Sequence, residues 1–93
     1  MDIIRQFKKM NIWDFQDLMQ EKCLDKGDSA VYFMYLDELK LRRIESVSEG
    51  GDHKLRSLAH ELLASFKREY EKNKDFCSEN ELKDFSHIVQ NEI

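Results

Sequence analysis

Apolar residues recur along this chain at intervals of three and four, the spacing that gathers them on one side of an α-helix. The pattern is clearest in Leu55, Leu58, Ala59, Leu62, Phe66 and Tyr70, which form one face over about four turns. Asp52 is placed to cap the start of this helix, and Asn73 and Lys74 to end it. Ser78 followed three residues later by Glu81 makes a capping box, with Cys77 and Leu82 as its hydrophobic staple. Leu82, Phe85, Val89 and Ile93 then line one face of a last helix.

The first half of the chain is less regular. Ile3, Ile4, Phe7 and Met10 predict a short helix capped by Asp2. Asn11, with Asp14 three residues on, begins a second helix whose face is Ile12, Phe15, Leu18, Met19 and Cys23. A single kinked helix over both segments is the alternative. Trp13 and Leu24 fall to the side of that face. A turn over residues 25–28 uses Gly27 as its left-handed cap.

Residues 29–45 pose the one conflict between patterns. The run Val31-Tyr32-Phe33-Met34-Tyr35-Leu36 has strand-like composition and no polar alternation. A buried strand needs a partner strand, however, and no second one is evident. Continuation through Leu39, Leu41 and Ile44 fits a helix instead. Apolar residues occupy nearly the whole circumference of its first half, so it is either central or shows one side to a partner. Gly50-Gly51 allows a reversal after it. The expected architecture is all-α: a compact bundle of four to five helices with short connections, and one domain over residues 1–93.

Composition agrees with that reading. The chain has no proline and three glycines in 93 residues, against a linker or a fibre. No apolar stretch is long enough to span a bilayer, and the first residues lack the pattern of a secretory leader. Two cysteines, Cys23 and Cys77, do not make a disulfide scaffold. Cytoplasmic residence with free thiols is the expectation.

Charge is unevenly spread. The net charge is -4, and residues 75–93 carry one base against five acids, Asp75, Glu79, Glu81, Asp84 and Glu92. Residues 50–74 carry six bases and four acids. Packed antiparallel, these neighbouring segments would partly neutralise each other.

Chemistry-bearing motifs are absent from the pattern. Cys23, Cys77, His53, His60 and His87 lack the spacing of a metal site, and no cofactor-binding motif is found. His87 points away from the apolar face of the last helix. There is no phosphate-cradling glycine loop, nucleophile elbow or zinc-protease pair. The chain reads as a non-enzyme.

Binding surfaces remain. A nucleic-acid reading rests on Arg42-Arg43 and on Arg56, His60, Lys67 and Lys74, which share a narrow stripe of the 52–74 helix. The acidic charge of the whole chain opposes it. A protein-binding reading is stronger. Trp13 beside Leu24 is either core or an exposed anchor. Tyr32 and Tyr35 suit half-wet positions between the bundle and a partner or a second copy. Glu79 and Asp84, with the rest of the acidic end, would complement a basic protein. A small acidic regulator of a protein partner (inhibitor, immunity-type factor or adaptor) is therefore expected first. A nucleic-acid-associated regulator and a structural homo-oligomer are the alternatives. A membrane-surface role is not favoured, because the basic amphipathic first segment is short.

Overall fold

Residues 29–46 settle as helix, not strand. The computed structural model describes residues 11, 13–15, 17, 18, 29–46 and 52–93, and Ser29–Ser46 forms the 18-residue helix α1. The β-favouring run is overridden because Tyr32, Tyr35, Leu36 and Leu39, at helical spacing, are all buried against one core. Asp52–Lys72 forms α2, 21 residues, and Glu79–Asn91 forms α3, 13 residues. Residues 13–15 and 17–18 are also helical. Asn11 starts this segment as expected: its side-chain oxygen accepts from the Asp14 N–H at 2.9 Å, and its carbonyl accepts from the Phe15 N–H at 3.0 Å. The short helix expected over residues 2–10, and the turn at Gly27, lie outside the described residues.

The link from α2 to α3 is built from side-chain chemistry. The Asn73 N–H still donates to the Glu69 carbonyl at 3.0 Å, and the Asn73 side chain accepts from the Asp75 N–H at 3.0 Å. That turn stops the helix and redirects the chain. Ser78 then accepts from the Glu81 N–H at 3.0 Å, while Glu81 accepts from the Ser78 N–H at 3.1 Å. The capping box read from the sequence is complete.

Cross-helix contacts give the topology. Tyr32 near the start of α1 meets Phe66 near the end of α2, so these two run antiparallel. Phe33 meets Phe85, and Lys40 meets Glu92, so α1 and α3 run in the same direction. The product is an up-down-up arrangement of three helices, with the 11–18 segment laid on α1 through Phe15 and Tyr35. Among the described residues there is no strand, as expected for an all-α bundle.

Aromatic rings fill the centre. Phe66 stacks on Phe85 at 4.4 Å between centroids, and Tyr32, Phe33 and Phe76 meet them edge to face at 5.2 to 6.5 Å. Leu55, Leu58, Ala59, Leu62 and Leu63 extend this core along α2, and Val89 and Ile93 extend it along the C-terminal segment. The faces expected for α2 and α3 are the ones that pack.

Candidate functional site

Tyr32 and Tyr35, expected at half-wet positions, are 0% and 1% exposed. They belong to the core, and the reason is visible for Tyr32. Its hydroxyl lies 3.1 Å from the Ser65 hydroxyl on α2, so the ring can be buried without stranding its polar end. Tyr35 packs edge to face against Phe15 at 5.9 Å. Neither tyrosine is available to a partner in this arrangement.

Trp13 takes the opposite course. It is 59% exposed, the open alternative of an outward anchor. The Lys54 ammonium sits 4.5 Å from its ring centroid. Such an exposed cation–π contact contributes roughly 0.5–1 kcal/mol and links the ring to α2. Leu24 lies outside the described residues.

The basic residues divide. Arg42 turns inward: its Nε donates to Glu38 Oε1 at 3.1 Å, with both side chains largely buried, and its guanidinium lies 4.8 Å from the Phe15 ring. Arg43 is half-buried. Arg42 is therefore a structural element tying Phe15 to α1, not an open phosphate contact. Lys40 donates to Glu92 at 3.0 Å. Arg56, His60 and Lys67 are exposed along α2, but Lys74 lies in the turn beyond it. There its ammonium covers the Tyr70 ring at 4.4 Å and bridges Glu71 at 3.2 Å.

The acidic end does not gather into one face. Glu79 and Asp84 are both exposed, but on an ideal helix they point about 140° apart. Glu81 is held in the capping box, and Glu92 by Lys40. Glu79 makes a 3.9 Å contact with Lys83, a surface pair of little energetic weight. Glu92 reaches α1, so charge compensation runs between the first and last of the described helices as well as along each one.

Two residues that were read only as evidence of helix continuation complete the picture. Leu41 and Ile44 are 53% and 72% exposed. They lie in the last turns of α1, and Lys54, which carries Trp13, lies in the first turn of α2. Because α1 and α2 are antiparallel, Trp13, Leu41 and Ile44 occupy the same end of the bundle. The signal was present in the sequence: Leu41 and Ile44 fall opposite Tyr32, Leu36 and Leu39 on a helical projection.

His53, His60 and His87 are exposed, and no group of three or more potential metal ligands occurs among the described residues. Cys77 is buried, and desolvation, with a smaller contribution from the Glu81 carboxylate, pushes its thiol above the ordinary value. Among the described residues no helix is long and apolar enough to cross a membrane. No protein-family model, curated protein or solved structure matches the chain.

Proposed function

We propose that this chain is a non-enzymatic, cytoplasmic helical domain that binds a protein partner and regulates it, as an inhibitor, immunity-type factor or adaptor. The observation that supports this reading is the exposure of Trp13, Leu41 and Ile44 at one end of the bundle. Large apolar side chains in solvent lose the transfer free energy that folding gives the others, and a partner restores it at roughly 25 cal/mol per Å². The Lys54 contact restrains the Trp13 ring, and a restrained anchor lowers the entropy cost of association.

The test compares capture from native extract by wild type and by Trp13→Ala, Leu41→Ser and Ile44→Ser, each checked for unchanged helical circular dichroism. A partner protein retained by wild type and lost from at least one of these variants supports the reading. Equal recovery of the same proteins by all four chains overturns it.

The nucleic-acid alternative is weakened by the inward turn of Arg42 and the pairing of Lys74. Arg56, His60 and Lys67 remain as its exposed cationic candidates. Binding to a DNA duplex at low salt that falls in Lys67→Ala would favour it.

A further inference from the structure

The outward side of α1 carries a second apolar repeat, distinct from the one that builds the core. Taking about 100° per residue, Tyr32, Tyr35, Leu36 and Leu39 point into the bundle. Ala30, Met34, Asp37, Leu41 and Ile44 fall together on the opposite side. Their separations are four, three, four and three residues, the a/d rhythm of a helix that packs along another helix. Ala30, Asp37, Leu41 and Ile44 are exposed, and Met34 is half-buried. Among the described residues, the bundle meets α1 on its inward face and on its flanks, where Phe15 reaches Arg42 on one side and Glu92 reaches Lys40 on the other.

Asp37 decides what this seam can receive. It stands midway between Ala30 and Ile44. Two copies aligned in parallel register would place Asp37 against Asp37, and so would an antiparallel pair centred on the seam. Like charges in the central layer of a seam about two heptads long work against self-pairing. Asp37 also lacks a cation on its own helix. Lys40, three residues on, is engaged by Glu92 at 3.0 Å, and the residue at the next helical contact position is Leu41.

We infer that the outward seam of α1 receives an amphipathic helix of a different protein, one that places Lys or Arg opposite Asp37. The apolar partners of Leu41 and Ile44 supply affinity, and the charge opposite Asp37 sets register and excludes a second copy. This inference rests on the protein-binding reading and specifies its surface.

The test installs a photo-cross-linking benzophenone side chain at position 41, 44 or 13 of the full chain, expressed in its native cells. Cross-linked peptides are then sequenced by mass spectrometry. The expected result is that positions 41 and 44 label one segment of another protein, with heptad-spaced apolar residues and a basic residue among them. Asp37→Lys should then weaken binding of that purified partner at least about tenfold, and exchanging the partner's basic residue for Glu should restore it. Labelling of a second copy or of the same chain at 41 and 44 overturns the inference, as does a segment without a basic residue or an Asp37→Lys chain that binds normally. Labelling from position 13 alone removes the seam while leaving the protein-binding reading intact. Labelling from none of the three positions removes both.

Discussion

Replacing Glu38 with methionine removes one half of a largely buried ion pair while keeping most of the side-chain volume. The Arg42 Nε lies 3.1 Å from Glu38 Oε1, and the two side chains are 15% and 9% exposed. At an effective dielectric constant near 20, opposite unit charges at that separation attract by about 5 kcal/mol. Desolvation of both groups offsets much of this, so the pair adds little net stability over an apolar pair. Removing only the carboxylate is different, because Arg42 stays largely buried and loses the Glu38 acceptor. The expected cost is about 3 kcal/mol, the lower end for a broken buried pair, since Arg42 keeps its contact with the Phe15 ring. The double variant Glu38→Met with Arg42→Met should recover most of that loss, short of the roughly 0.5–1 kcal/mol assigned to the cation–π contact. Urea unfolding followed by circular dichroism measures all three variants against wild type, with equal slopes required for the comparison. Glu38→Met costing less than about 1 kcal/mol, or a double variant as unstable as the sum of the singles, would refute the reasoning.

Three further outcomes follow from the packing. Phe66→Ala, which removes the ring stacked on Phe85 at 4.4 Å, should cost about 3–5 kcal/mol. That is a large share of the roughly 5–14 kcal/mol expected for a domain of this size, and a thermal melt would register it as a marked loss of Tm. Ser78→Ala should cost about 1 kcal/mol through loss of the α3 cap, visible as increased amide exchange at Glu81. Cys77 should be alkylated more slowly in the folded chain than in urea, followed on the peptide that contains it. Because its folded thiol value is raised, its stabilising contribution is complete below the unfolded value and is lost as pH rises through the folded one. Alkaline stability of wild type measured against Cys77→Ala isolates that contribution.

Local signals carried over well. The capping box at Ser78, the α2 face from Leu55 to Phe66 and the α3 face from Leu82 to Ile93 each depend on residues within one or two turns, and each formed as read. Tyr32 and Tyr35 did not yield to the same reasoning. Their helix is apolar on most of its circumference, so the sequence leaves open which side faces inward. The choice depends on Ser65, 33 residues away from Tyr32, and on Phe15 against Tyr35. Arg42-Arg43 looked like a basic patch because adjacent charges are read as a surface. The i,i+4 relation of Glu38 to Arg42 was available, but its burial depends on the ring of Phe15 from a distant segment. Leu41 and Ile44 show the converse: their exposure was encoded in the helical projection of α1, whose two apolar sides point in different directions.

The pair of hydroxyls between Tyr32 and Ser65 also limits how α1 and α2 can slide along each other. Aromatic and aliphatic contacts are forgiving, and α2 offers similar apolar surface at several levels. A slip by one helical turn, about 5.4 Å, would leave rings in contact with rings. It would also part the two hydroxyls now 3.1 Å from each other in a part-buried position, at about 1–3 kcal/mol for a group left buried without a partner. A single polar contact therefore penalises the shifted packings that the greasy interior by itself would tolerate. Tyr32→Phe should then cost about 1 kcal/mol through loss of the Ser65 contact and show broader methyl resonances, the mark of neighbouring registers exchanging within one folded basin.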